Sequence, residues 1–150
     1  MKAGTSFIAR ILNTGDDNKI FIIRSIVGLI FISEGIQKYL FLEVLGPGLF
    51  RNIGFSHAYF WAYFTGAFEI LCGIFVLFGF LTRVVSIPLL IVMITAFIST
   101  KLPVLHYKGF WTFAHDYTTD FSMSLLLILL IIYGGGKRSI DRKILRSANS

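Results

Sequence analysis

Cysteine is almost absent from this chain, since Cys72 is the only one among 150 residues. A lone cysteine cannot form an intramolecular disulfide or supply the two thiols of a CxxC motif. The sequence also lacks a phosphate-binding glycine loop, a GxSxG nucleophile elbow and a CxxCH haem-attachment site. These absences exclude dithiol redox chemistry and covalent haem attachment by this chain alone.

Charged residues are scarce as well, at 15% of the chain, whereas apolar residues make up 55% and aromatic residues 16%. A soluble domain of this size could not bury so much apolar surface, because small domains keep a large surface relative to their volume. The lipid bilayer is therefore the first partner that we predict. The net charge of +6 does not indicate nucleic acid, because the basic residues gather at the ends of apolar segments and form no stripe interleaved with aromatics.

Four apolar segments have the length of a membrane crossing, which takes about 17 to 25 residues. They cover about residues 20–41, 58–80, 84–100 and 118–136. The second and fourth are apolar on every side, which is typical of helices in lipid and not of a small soluble core. The sequence therefore predicts an all-α polytopic membrane protein. Its four-helix membrane domain covers 20–136, with a segment 1–19 before it and a basic tail 137–150 after it.

Basic residues predict the orientation of the four spans, because cytoplasmic loops carry an excess of Lys and Arg. Arg83 lies in the short turn between the second and third spans. The segment before the first span contributes Lys2, Arg10 and Lys19, and the tail contributes Lys137, Arg138, Arg142, Lys143 and Arg146. Four crossings place all three regions on one side, so we predict that both termini are cytoplasmic.

The segment 1–19 does not resemble a cleavable signal, because its apolar stretch is short and two acids, Asp16 and Asp17, follow it without a small-x-small cleavage site. We expect it to rest on the cytoplasmic membrane surface as a partly amphipathic segment.

Two longer connections are then expected on the outer side. The first, about residues 42–57, contains Gly46-Pro47-Gly48, which should break a helix, and its apolar residues suit the membrane interface. The second, about residues 101–117, carries an aromatic belt that consists of Tyr107, Phe110, Trp111, Phe113 and Tyr117.

One face of the first span is charged. At 100° per residue, Arg24, Glu34 and Lys38 fall within about 80° around the helix axis. Charges within a span usually face the bundle and find a partner there. Glu34 and Lys38 are also spaced i,i+4, which permits a direct pair. For Lys38 alone, snorkelling to the headgroups is an equal alternative.

Glu69 lies at the centre of the second span, too deep to reach either membrane surface. It either pairs with a basic group such as Arg24 or Lys38, or burial keeps it neutral. A polar contact that only fixes helix packing would explain it, and so would a role in proton transfer or ligand binding. Both interpretations stay open at this point.

The remaining polar residues sort into two layers by depth. The outer layer consists of Lys38, His106, His115, Asp116 and Asp120, and the inner layer consists of Arg24, Arg83, Ser139 and Asp141. We predict that Lys38 approaches Asp120. The His and Asp spacing matches no familiar zinc pattern, so we predict no metal site.

Residues in all four spans carry a resemblance to a known family, the DoxX membrane proteins, over about residues 20–145. The first span resembles the family's Arg-x3-Gly…Gly-x2-Lys pattern through Arg24, Gly28, Gly35 and Lys38. The second and third fit its Glu-x3-Gly…Gly-x3-Arg element through Glu69, Gly73, Gly79 and Arg83. The family's ending is matched by His115, Asp120, Gly136, Ser139 and Asp141.

The resemblance implies a small four-helix protein of the bacterial cytoplasmic membrane. The family name comes from a subunit of a thiosulfate:quinone oxidoreductase, and relatives are linked to redox complexes and to maturation of other proteins. Quinone is therefore the cofactor to consider, and electrons would come through it or through a partner subunit. Candidate catalytic residues are Glu69, Arg24, Lys38 and Glu34, and candidate binding residues are Arg83, His115, Asp120, Ser139 and Asp141.

Three functions fit these observations. The first is a redox-linked membrane subunit that binds a quinone-like ligand. The second is a non-enzymatic accessory or assembly factor of a membrane complex, in which the buried charges only fix helix register. The third is a small proton-coupled transporter with Glu69 as its coupling carboxylate.

Overall fold

The computed structural model describes residues 18–148, and the segment expected on the membrane surface lies mostly outside them. The described residues form seven α-helices and one π-helical turn. The helices are α1 (Ile20–Leu40), α2 (Pro47–Asn52), α3 (Ala58–Phe78), α4 (Thr82–Ala96), α5 (Leu102–Lys108), α6 (Phe110–Tyr133) and α7 (Ile140–Ala148), and the π-helical turn is Phe97–Lys101.

Four helical units are long and apolar enough to cross a membrane: α1, α3, α6 and the continuous unit Thr82–Lys108. The predicted all-α, four-span architecture is confirmed. A helix of 21 residues such as α1 is about 31 Å long, close to the thickness of a bilayer's hydrocarbon core. The cytoplasmic placement of both termini stays a prediction.

The two connections that were expected on the outer side contain more helix than their composition indicates. Gly46-Pro47-Gly48 does not end a helix but begins α2, because proline at the first helical position loses no hydrogen bond. The region 101–117 is helical apart from Gly109, whose φ of 84° makes the turn between α5 and α6. The fourth span therefore begins at Phe110, several residues before the apolar run.

Backbone contact between glycines joins α1 to α3, the two helices that pack most extensively. Gly28 and Gly35 of α1 face Gly73 and Gly66 of α3, in antiparallel order. A Cβ atom at Gly35 would lie 2.6 Å from the carbonyl oxygen of Gly66, and one at Gly73 would lie 2.9 Å from that of Gly28. Small residues permit such close approach, which drives helix association where lipid supplies no hydrophobic force.

The buried centre of the bundle lies between the four spans, with α4 packed on α6. Its apolar members include Val27, Phe31, Cys72, Val76, Leu89, Met123, Leu127 and Leu130. Large apolar side chains such as Leu29, Leu71 and Ile132 are exposed on the outer surface, as lipid-facing residues are. We call the end of the bundle with α2 and Gly109 the loop end, and the end with Gly79 and α7 the tail end.

We predict that Gly73→Leu weakens the fold, because the new side chain would collide with the backbone of α1. Overpacking of this kind costs about 1–3 kcal/mol. The free energy of unfolding in detergent micelles measures the effect. Ala67→Leu, on the exposed face of the same helix, is the matched control and should unfold like the native chain. Equal losses in both variants would contradict the glycine contact.

Candidate functional site

The structure places seven of the nine candidate residues in two clusters at opposite ends of the bundle. Arg24 and Lys38 are fourteen residues apart on α1, which separates them by about 21 Å along the axis. Lys38 lies with Glu69, Glu34 and Asp120 around a cavity that reaches the loop end. Arg24 lies at the tail end with Ser139 and Asp141.

A buried ion pair joins α1 to α3 at the floor of the cavity. The Nζ atom of Lys38 donates a hydrogen bond to Oε2 of Glu69 over 2.6 Å. Their side chains are 12% and 4% exposed, so the pair is largely removed from solvent and lipid. Of the partners considered for Glu69, the structure selects Lys38 and not Arg24. The i,i+4 neighbour Glu34 lines the same cavity but makes no ion pair with Lys38.

The cavity encloses about 360 Å³ and has mostly apolar walls. Segment 42–57 contributes to its wall at the loop end, together with α3 and α4. The apolar lining consists of Leu45, Leu49, Phe50, Ile53, Phe55, Trp61, Phe64, Ile91, Val92 and Ala96. Volume and lining are those of small-molecule sites, which are apolar with a few placed polar groups.

A second ion pair lies in the cavity wall between the third and fourth spans. Nζ of Lys101 is 3.7 Å from Oδ2 of Asp120, and both side chains are about a quarter exposed. The π-helical turn Phe97–Lys101 carries Lys101 together with Ser99 and Thr100, all of which line the cavity. Single π-helical turns are frequent at functional sites.

The expected approach of Lys38 to Asp120 is realised only in part. Both side chains line the cavity, but each pairs with a different residue, Lys38 with Glu69 and Asp120 with Lys101. The sequence predicts the depth of Lys38 and Asp120 in the membrane, which is similar. Which residues pair also depends on the rotation of each helix about its own axis.

At the tail end, the carboxylate of Asp141 caps the start of α4. Its Oδ1 accepts from the backbone N–H of Leu81 over 2.7 Å, and its Oδ2 accepts from the backbone N–H and the hydroxyl of Thr82 over 3.0 and 3.1 Å. A carboxylate at a helix N-terminus satisfies free N–H groups and complements the helix dipole. The contacts also hold Leu81 at a φ of 48°, a conformation that non-glycine residues rarely adopt.

Arg24 joins α1 to the same cluster and is only 1% exposed. Its Nη2 donates to the carbonyl oxygen of Arg138 over 3.0 Å. The guanidinium lies against Gly79, which has a φ of 70° and ends α3; a Cβ atom there would occupy the position of Nη1. Asp141 supplies the opposite charge nearby. The Arg24 side chain therefore fastens the tail-end segment to the bundle.

Ser139 completes the tail-end cluster as the cap of α7. Its hydroxyl donates to the carbonyl oxygen of Gly136 over 2.7 Å and accepts from the backbone N–H of Arg142 over 3.2 Å. Together with the hydrogen bond from the Asp141 N–H to the Gly79 carbonyl oxygen, these contacts bind α7 to the α3–α4 turn. Contacts between protein groups therefore hold the tail-end cluster together, although Nε and Nη1 of Arg24 are buried there without a hydrogen-bond partner among the described residues.

Two candidate residues belong to neither cluster. Nη2 of Arg83 donates to the carbonyl oxygen of Ile132 over 2.8 Å and so links α4 to α6. His115 is exposed on α6. Between residues 18 and 148, no group of three His, Cys, Asp or Glu is placed to hold a metal ion.

Sequence reasoning missed Lys101, because it falls in the region that was assigned to an outer loop, and it gave no role to Ser99 and Thr100 at the end of the third predicted span. The signal for Lys101 was the continuation of apolar residues at helical spacing past Thr100, as in Leu102 and Leu105. The sequence of segment 42–57 contains no pattern, apart from its apolar composition, that would have predicted its contribution to a cavity wall.

Comparisons with known proteins agree with this architecture. The DoxX family model matches residues 19–102, which include α1, α3, α4 and the Lys38–Glu69 pair. The chain is 44% identical over 147 residues to "Uncharacterized membrane protein Rv3486" of Mycobacterium tuberculosis, covering 94% of this chain and 90% of that protein. It is 35% identical over 81 residues to "Putative oxidoreductase CatD" of Bacillus subtilis, covering 54% of this chain and 58% of that protein. No solved structure matches.

We predict strong coupling between Lys38 and Glu69 in a double-mutant cycle. Lys38→Met or Glu69→Gln alone leaves one buried partner uncompensated, which costs about 3–5 kcal/mol. The double variant should lose clearly less than the sum of the single losses, as measured by unfolding in detergent micelles. Glu43→Gln breaks the exposed Arg51–Glu43 pair and is the control, with an expected loss below about 1 kcal/mol. Additive losses at Lys38 and Glu69 would contradict the coupling.

We also predict that Asp141→Asn loosens the tail end. An amide has one acceptor oxygen where the carboxylate has two, so an N–H or hydroxyl at the α4 start loses its partner at a cost of about 1–3 kcal/mol. Limited proteolysis should cleave near α7 faster than in the native chain. The exposed Asp116→Asn has the same change in charge and should leave the cleavage rate unaltered. A cleavage rate of Asp141→Asn equal to that of the native chain would contradict the capping role of Asp141.

Proposed function

The chain belongs to the DoxX family of membrane proteins, and on this premise we propose that it is a redox-associated membrane subunit whose cavity binds a quinone. The observation that supports this most is the combination of an aromatic-walled cavity with the buried Lys38–Glu69 pair at its floor. One relative, 35% identical over about half of this chain, carries the name of an oxidoreductase.

The residues of the cavity fit a quinone ring. A volume of about 360 Å³ lies within the range of small-molecule sites. Phe50, Phe55, Trp61 and Phe64 offer flat apolar faces against which a ring can stack. Apolar surface dominates the cavity walls, and the polar groups among the lining residues can orient a mostly apolar ligand.

Lys38 is the group that would orient the ring. Its ammonium has three N–H donors and uses one on Glu69, so the others can donate to a ring oxygen. Glu69 fixes the ammonium in place and can exchange a proton with it between Oε2 and Nζ. A bound quinone supplies the two-electron, two-proton chemistry that these side chains lack.

Electrons would come from a partner redox protein in the same membrane, because the chain contains a lone cysteine and no dithiol. Arg24 takes no part in this proposal. It lies about 21 Å from Lys38 along α1 and is engaged at the tail end.

We predict that quinone binding is detected by Trp61, one of the two tryptophans of the chain. In Trp111→Phe, reconstituted in lipid nanodiscs, decylubiquinone should quench the fluorescence of Trp61 saturably. The reverse variant, Trp61→Phe, retains only Trp111, which is 84% exposed and should show the linear quenching of quinone dissolved in lipid.

A larger side chain in the cavity, compared with the same change outside it, tests whether the quinone binds there. Ala96 lines the cavity, so Ala96→Leu in the Trp111→Phe background should weaken binding about tenfold or more, equivalent to at least 1.4 kcal/mol. Ala67→Leu adds the same bulk on the exposed face of α3 and should bind like its parent. Linear quenching of both tryptophans would contradict the proposal. In that case, a stable protein partner that co-purifies without quinone would favour the assembly-factor alternative.

A further inference from the structure

Glu34 is a carboxylate without a partner inside the cavity. The other four charged side chains of the lining form two ion pairs, Lys38 with Glu69 and Lys101 with Asp120. Among residues 18–148, no cation or hydrogen-bond donor contacts the carboxylate of Glu34, which is exposed on α1 six residues before the helix ends. A carboxylate within a membrane span is costly unless it finds a partner, and a ligand in the cavity could supply the donor.

Two hydroxyls of the wall also present acceptors to the cavity. Thr95 donates its proton to the carbonyl oxygen of Ile91 over 2.9 Å, and Thr100 donates to that of Ala96 over 2.7 Å. A hydroxyl has one proton and two acceptor lone pairs. With both protons donated within the helix, the Thr95 and Thr100 oxygens present their lone pairs to a ligand.

The charged groups of the lining carry a formal charge of −1, from two lysines against three carboxylates. The ammonium groups of Lys38 and Lys101 each form an ion pair and keep further N–H groups that can donate to a ligand. Glu34 is the charged group of the lining that neither lysine engages, so the cavity offers a ligand a free anionic acceptor beside these donors.

The oxidised and the reduced form of a quinone differ in whether their ring oxygens accept or donate hydrogen bonds. A quinone presents carbonyl oxygens, which only accept, whereas a quinol presents hydroxyls, which donate. A hydroxyl that donates to an ionised carboxylate forms a hydrogen bond about twice as strong as one between neutral groups. A site built to bind a hydroxyl discriminates strongly against an analogue without it, because buried polar groups are then left unpaired.

We propose that the cavity selects the reduced, hydroxylated ring, a quinol or similar aromatic diol, through a hydrogen bond from a ring hydroxyl to the carboxylate of Glu34. This inference rests on the proposed function, in which a quinone couple occupies the cavity, and adds which member of the couple is held more tightly. Lys38 and Glu69 then position the second oxygen of the ring at the floor.

The experiment measures both affinities in the Trp111→Phe background, with Trp61 as the reporter in nanodiscs. Decylubiquinone is titrated directly, and decylubiquinol, prepared and kept under anaerobic conditions, is measured by its recovery of the quenched fluorescence. We expect the dissociation constant of the quinol to be at least tenfold lower than that of the quinone.

Glu34→Gln tests the residue itself. The amide offers an N–H donor and one weaker acceptor, so quinone binding should tighten, quinol binding should weaken, and the ratio should fall towards one. Glu43→Gln makes the same change at an exposed carboxylate outside the cavity and should keep the native ratio. Because Glu34 forms no hydrogen bond or ion pair with the described residues, we expect Glu34→Gln to fold, and a melting curve beside that of the native chain verifies that binding is compared between folded proteins.

The outcomes separate this inference from the proposed function. Equal or tighter binding of the quinone by the native cavity overturns the quinol preference and leaves a quinone site in place. A quinol preference that persists in Glu34→Gln overturns the role of Glu34. Failure of both ligands to bind overturns the inference and the proposed function together.

Discussion

The contact between α1 and α3 through their glycines determines where the charged groups of this bundle meet. Gly35 lies against Gly66, and Lys38 and Glu69 each follow three residues later on their own helix. Because the helices are antiparallel, the two Cα atoms are displaced towards opposite ends of the bundle. Side chains lean towards the N-terminus of their own helix, so Lys38 and Glu69 lean towards each other and close this gap. A wider spacing of α1 and α3 would leave both charges without their partner.

The same contact places Arg24 against the end of α3. One glycine pair further along, Gly28 lies against Gly73, and Arg24 then reaches Gly79 and the carbonyl oxygen of Arg138. Polar groups gather at both ends of the bundle. At the tail end both oxygens of Asp141 are engaged by protein donors, while Nε and Nη1 of Arg24 are buried without a hydrogen-bond partner among the described residues. At the loop end Glu34 and the Thr95 and Thr100 oxygens line a cavity of ligand size, which is why our proposal places the ligand there.

The four spans could be predicted from the sequence because the length of an apolar run can be counted along the chain without knowledge of the fold. The importance of Lys38 and Glu69 could be predicted as well, since a charge within a span needs a partner whatever the fold. The identity of each partner could not, because depth along a helix does not specify its rotation. Asp120 was at the right depth for Lys38, but the π-helical turn brings Lys101 to it instead. Asp141 likewise caps a helix start almost sixty residues away, a contact that only the tertiary fold creates.

The position of the Lys38–Glu69 pair argues against a purely structural role. Replacing a buried ion pair by well-packed apolar residues is often neutral or stabilising, because taking two charges out of water costs more than their attraction returns. Fixing helix register does not require the pair here, since the glycine contacts already set how α1 and α3 align. The charges also lie at the floor of a cavity that reaches the loop end, and not in the sealed centre around Val27 and Leu127. An ion pair that packing does not need, facing a space of ligand size, supports our proposal that this space binds a ligand.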